Sequence, residues 1–195
     1  MRIKHLFITA VISAAMVFSG FAPLSSTPEA SMPADIDTGI SSVYASTGQV
    51  NCKSMYKAIN KFRTKKKVWQ WKKGSKKKKY FNTKKSNKLK ALKRDKSLEE
   101  TAKKRAKELA KCYDHVRPNG KDCFSIYPKK FRYLGENIAC GQQSVSEVME
   151  DWIEEDETYY GQGHRRNMLY KHFKKVGVAC YEYKGYKYWV QCFGG

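Results

Sequence analysis

The sequence predicts an α+β domain, with helices first and an antiparallel hairpin last. Three observations carry this. Ser97-Leu98-Glu99-Glu100 and Ser144-Val145-Ser146-Glu147 are helix-start signatures, each followed by apolar residues at helical spacing. The C-terminal stretch is rich in Val, Tyr and Trp and is broken by Lys184-Gly185, a two-residue turn signal. A chain of 195 residues is enough for one domain with a tail. Its 41% hydrophobic and 13% aromatic content excludes a wholly disordered chain, and 13 Gly with 5 Pro exclude a collagen-like fibre.

From the N-terminus, MRIKH is a short basic region, followed by the mostly apolar run Leu6 to Ala22. This is the pattern of a secretory signal peptide, assigned to 1–25, with an uncleaved anchor as the alternative. Residues 26–50 are small, polar and aperiodic, and read as a linker or propeptide. The domain is assigned to 51–195. Met55 to Phe62 reads as a short helix. In the helix over 97–111, Leu98, Ala102, Ala106 and Leu109 share one face. In the next helix the apolar residues are Val145, Val148, Met149, Trp152 and Ile153. Val176 to Tyr183 and Tyr186 to Phe193 form the hairpin.

All six cysteines follow the export signal, so up to three disulfides are expected. A two-residue turn at Lys184-Gly185 puts Cys180 opposite Trp189 and leaves Cys180 and Cys192 on opposite faces. Only a longer loop allows those two to bridge. Cys112 and Cys123 are a second candidate pair. There is no CxxC and no zinc-finger spacing.

Four segments place a His or a carboxylate beside Gly, Pro or Trp: 114–120 (DHVRPNG), 135–139 (GENIA), 152–155 (WIEE) and 163–169 (GHRRNML). Two His with carboxylates can bind Zn²⁺ or act as acid and base around a water. They can equally cap turns within a partly buried network. Gly-x-Ser-x-Gly, His-Glu-x-x-His and phosphate-binding loops do not occur.

These four segments, in this order and closed by Tyr188-Trp189-Val190-Gln191-Cys192-Phe193, resemble the CAP superfamily (cysteine-rich secretory proteins, antigen 5 and pathogenesis-related 1; the SCP domain), in its bacterial exported branch. The resemblance covers about 52–195. It implies an α-β-α sandwich, a central antiparallel sheet between helices, with a cleft holding two His and two acidic residues. In some members these bind Zn²⁺ or another divalent cation. Position by position, it makes His115, Glu136, His164 and Glu155 the candidate catalytic or metal-ligating tetrad. A helical wheel favours Glu155 over Glu154: from Val145 the apolar stripe centres near about 10°, Glu154 falls at about 180° and Glu155 at about 280°, with Asp156 in reserve at about 20°. The acidic stretch 154–160 departs from the pattern of many bacterial members. Arg165 and Asn167 read as braces, His172 as a surface residue, and Gln191 has no assigned role.

The net charge of +21 is concentrated. Residues 51–105 hold 23 basic and 3 acidic residues, while the rest is nearly neutral. Within 65–90, Lys clusters alternate with Val68-Trp69-Gln70-Trp71 and Tyr80-Phe81, which suggests a hairpin with Lys76 to Lys79 around its turn. On an exported chain such a patch attracts polyanions such as teichoic acid, acidic glycans or anionic lipid headgroups, with nucleic acid the least favoured, or else simply solvates the surface.

Three functions follow as expectations. The first is a secreted or wall-associated protein that binds partners at the cell surface, with a divalent cation in its His/Glu cleft. The second is a metal-assisted extracellular peptidase, and the third a wall protein held by its lysines.

Overall fold

A computed structural model describes residues 47–195. The segment read as a signal peptide and most of the linker lie outside the described residues. The described fold begins inside that linker, because Gly48–Val50 forms an edge strand, β1. Then follow α1 (Ser54–Arg63), β2 (Trp69–Trp71), β3 (Lys78–Tyr80), β4 (Lys93–Arg94), α2 (Lys96–Leu109), β5 (Leu134–Cys140), α3 (Val145–Ile153), α4 (Gly163–Leu169), β6 (Lys175–Tyr183) and β7 (Tyr186–Gly194).

The main sheet runs β1-β6-β7-β5, all antiparallel, with β4 added in parallel to β6. Alternation along its strands sends residues to two faces, and each face has a core. On one, Ala179, Val190, Cys192 and Ile138 meet Leu98, Ala102, Ala106 and Leu109 of α2. On the other, Val176, Val178, Trp189 and Phe193 meet Met55 and Ile59 of α1, Val148 and Trp152 of α3, and Met168 of α4. The domain is therefore an α-β-α sandwich. Close packing needs Gly177, where an added Cβ would lie 2.1 Å from the Leu98 backbone of α2.

The hairpin forms with the expected turn. Lys184 and Gly185 both take positive φ, 51° and 78°, which suits a tight two-residue connection. The register pairs Cys180 with Trp189 and Cys192 with Gly177, so Cys180 and Cys192 point to opposite faces. Cys112 is exposed beyond α2 while Cys123 is buried. All six cysteines are free thiols, which corrects the expected disulfides.

Ser144 caps α3 as expected, accepting from the Glu147 amide at 3.2 Å, but the capping box is only half formed: the Glu147 carboxylate accepts the Ser144 hydroxyl at 3.0 Å and the Gln143 amide at 2.9 Å rather than the Ser144 amide. In α2 the cap differs from the expected Ser97. Asp95 is the N-cap and accepts from the amides of Ser97 and Leu98. A carboxylate two residues earlier, in extended conformation, captures the free amides before Ser97 can.

Candidate functional site

The site is built around β5, which pairs only with β7 among the described strands. The carbonyls it does not give to β7 need other partners. Asn167 of α4 donates to the Glu136 carbonyl at 3.1 Å, and the Trp152 indole of α3 donates to the Ile138 carbonyl at 3.2 Å. Glu136 and Asn137 are neighbours on β5, so their side chains leave opposite faces, and each face carries one histidine arrangement.

On the α2 face, Glu136 is buried, with its side chain 1% exposed. Arg105, fully buried, reaches it from α2 through two bonds, Nε to Oε2 at 2.8 Å and Nη2 to Oε1 at 3.1 Å. The same guanidinium donates to the Asp114 carbonyl at 2.6 Å and to Glu108 at 3.1 Å. Burial works to lower the Arg105 pKa, but the Glu136 and Glu108 carboxylates outweigh it and raise it. His115 Nδ1 lies 2.9 Å from Glu136 Oε1.

The Arg-Pro-Asn-Gly string explains how His115 is held. Arg117 clamps Glu108 through Nε and Nη2, the shortest contact being 2.7 Å, and Gly120 turns the chain at φ 76°. The Cys123 amide then donates back to the His115 carbonyl at 3.0 Å. Paired with two arginines, Glu108 sits below the usual carboxylate range although burial pulls the other way.

On the opposite face, Asn137 donates to the His164 carbonyl at 3.2 Å and to Gln191 Oε1 at 2.9 Å. Gln191, which had no role from sequence, fixes the Asn137 amide. His164, in the first turn of α4, has Nδ1 2.6 Å from Glu154 Oε1. The other Glu154 oxygen accepts the Arg165 amide at 3.2 Å.

Glu154, not Glu155, is therefore the carboxylate beside His164. The helical wheel failed because α3 stops at Ile153 and Glu154 takes the left-handed conformation, φ 47° and ψ 46°. Its side chain swings back under α4 and is only 7% exposed. Glu155 instead lines a shallow recess with Phe62, Lys65, Lys67, Trp69 and Arg165. Asp156 is exposed.

The structure gathers the sequence-predicted residues as two dyads, His115–Glu136 and His164–Glu154. An ionised carboxylate only accepts, so the proton of each neutral imidazole sits on Nδ1 and Nε2 keeps its lone pair. This donor chemistry suits a metal whose ligands are imidazoles oriented by carboxylates. Both side chains are partly accessible, His115 at 17% and His164 at 16%. Among the described residues, the group of three metal-ligating types whose donor atoms all lie within 4.8 Å of one another is His115, Cys123 and Glu136. Cys123 is a site residue that sequence reasoning missed. Burial, and then the Glu136 charge, push its thiol well above the ordinary range.

Around this frame, Arg165 fastens α4 to its surroundings. Its Nε donates to the Trp69 carbonyl at 2.6 Å and Nη1 to the Ile153 carbonyl at 2.5 Å. His172 stacks on Tyr133, with ring centroids 4.6 Å apart.

The family model for the cysteine-rich secretory protein family, CAP, matches residues 56–193. The chain belongs to this family. It is 29% identical over 111 residues to the uncharacterized protein YkwD of Bacillus subtilis, a match covering 54% of this chain and 40% of YkwD. The CAP fold is shared with an outer surface protein of Borrelia burgdorferi, with TM-score 0.54 and 19% identity over 76% of this chain and 98% of that one. It is shared too with venom allergen-like protein 4 of Schistosoma mansoni, with TM-score 0.50 and 19% identity over 72% and 83%. Among the described residues, no helix is long and apolar enough to cross a membrane.

Proposed function

We propose that this CAP domain works outside the cell as a surface-interaction protein whose cleft takes a divalent cation, with His115 and His164 as the imidazole ligands. One observation carries the reading: each histidine has Nδ1 fixed by its own buried carboxylate, at 2.9 and 2.6 Å. That leaves both Nε2 atoms as oriented lone pairs. When bound, the cation would supply a Lewis-acidic anchoring point for an anionic or carbonyl group of a partner. The extracellular setting is supported by the export-type N-terminus and by the likeness in fold to an outer surface protein.

The peptidase reading fares less well. A general base needs an oxygen free to take a proton from water. Glu136 engages Arg105 and His115 with both oxygens, and Glu154 engages His164 and the Arg165 amide. Both glutamates act here as positioning groups.

Cobalt substitution tests the ligand set, because Co²⁺ reports thiolate ligation by an intense near-ultraviolet charge-transfer band and imidazole–oxygen sites by weak visible bands alone. Visible bands lost in both His115→Ala and His164→Ala, with no thiolate band, are the expected result. A thiolate band that disappears in Cys123→Ser but persists in His164→Ala would move the cation to the His115–Cys123–Glu136 group and overturn the two-histidine reading.

A further inference from the structure

Residues 65–90 contain thirteen lysines, no arginine and no acidic residue. All thirteen are exposed, and none forms an ion pair with the described residues. A charge run of this kind would ordinarily be a mobile, solvated face. Here it is anchored. Val68, Phe81, Leu89 and Leu92 are buried in the core shared by α1, α3 and α4. Asn82, at φ 57°, ties three parts of the segment together: its amide donates to the carbonyls of Arg63 and Lys65 at 2.8 and 2.9 Å, and its oxygen accepts the Leu89 amide at 2.7 Å. Arg63 donates to the Lys90 carbonyl at 2.8 Å. The lysines of the approach, the β2–β3 hairpin and the following loop thus stand on a fixed backbone.

Among the aromatic residues of the array, Phe81 is buried, Tyr80 is exposed, and the two tryptophans are already in use. Trp69 and Trp71 pack edge to face with centroids 5.1 Å apart, and Lys78 Nζ lies 3.9 Å from the Trp69 centroid. The Arg165 guanidinium carbon lies 4.6 Å from the same ring, and the Trp71 indole donates to the Glu157 carbonyl at 2.9 Å. Neither ring is an open platform for stacking a base, nor an exposed wedge for a bilayer. Lysine without arginine gives point charges without bidentate forks, which suits a flexible chain of repeating anions better than one shaped headgroup.

We propose that this lysine array is an interaction surface for an anionic phosphodiester polymer of the cell surface, of the polyol-phosphate type. It holds the domain there by counterion release, independently of the histidine cleft.

The test uses the full chain and an immobilised poly(glycerol phosphate) in a salt series from about 50 to 200 mM, with anionic phosphatidylglycerol vesicles and single-stranded DNA as competitors. The comparison variant replaces Lys72, Lys73, Lys76, Lys77 and Lys79 by Gln, and Lys78 is kept because it packs on the tryptophans. Binding should fall steeply with salt, weaken at least tenfold in this variant, survive when the same five become Arg, and be unchanged in His115→Ala/His164→Ala. If the Gln variant misfolds by circular dichroism, Lys84, Lys85 and Lys88→Gln on the following loop should still lower affinity and salt slope together. Failure of the wild type to bind at about 50 mM salt, or equal binding by a folded Gln variant, overturns the proposal. So does tighter binding to vesicles or DNA than to the polymer, which would assign the surface to a membrane or to nucleic acid.

Discussion

Arg105 and Glu136 form a two-bond ion pair between α2 and β5, with side chains 0% and 1% exposed. Removing one partner of such a pair strands the other charge in low dielectric. Arg105→Met should therefore cost about 3–5 kcal/mol of stability in urea unfolding. Arg105→Met combined with Glu136→Gln should recover part of that loss, because the stranded charge is gone. Equal stability of Arg105→Met and wild type would show that the pair is not buried in solution.

This pair was half legible in the sequence. Leu98, Ala102, Ala106 and Leu109 define the buried stripe of α2, and Arg105 lies within it. A charge at a core position signals a buried partner, but nothing local says that the partner is Glu136, 31 residues away. Glu154 was misplaced for a different reason. A wheel assumes the helix continues, and only the left-handed turn after Ile153 brings that carboxylate to His164. The C-terminal hairpin was readable because its turn residues and its alternation agree locally.

Glu154→Gln should weaken divalent-metal binding about 10–100-fold, the usual effect of losing a carboxylate that orients a ligating histidine. Glu155→Gln, at the exposed recess, should leave affinity unchanged. Calorimetry on the two folded variants checks the assignment, and the reverse order of effects would restore Glu155 to the site.

Asp95 gives the fold a pH dependence of known sign. Burial raises its carboxyl pKa, but hydrogen bonds from Ser97, Lys130 and the Leu98 amide outweigh this and bring it to about 2. A depressed folded-state value stabilises the fold above the unfolded carboxylate range, about pH 4, and is lost as pH falls toward about 2. Asp95→Ala should cost about 0.5–2 kcal/mol at neutral pH through loss of the α2 cap. The gap from wild type should narrow in thermal unfolding as pH approaches 2, and a gap independent of pH would argue against the ionised cap.

The cysteines should differ sharply in reactivity. Cys112 is exposed, whereas Cys123 and Cys192 are buried, with thiols raised first by burial and then by Glu136. Alkylation of the folded reduced chain near pH 8, read by peptide mass spectrometry, should label Cys112 first and leave Cys123 and Cys192 unmodified until the protein unfolds. Early labelling of Cys123 would mean that the His115 side of the site opens readily.

In the proposed site, His115 and His164, each oriented by its own carboxylate, together take one divalent cation. Titration calorimetry of Zn²⁺ into the full chain tests it most directly, comparing wild type with His115→Ala, His164→Ala and the double variant. The account requires saturable binding near one ion per chain, lost in each single variant while circular dichroism stays native. Absence of saturable binding in the wild type, or binding that persists in the double variant, would contradict it.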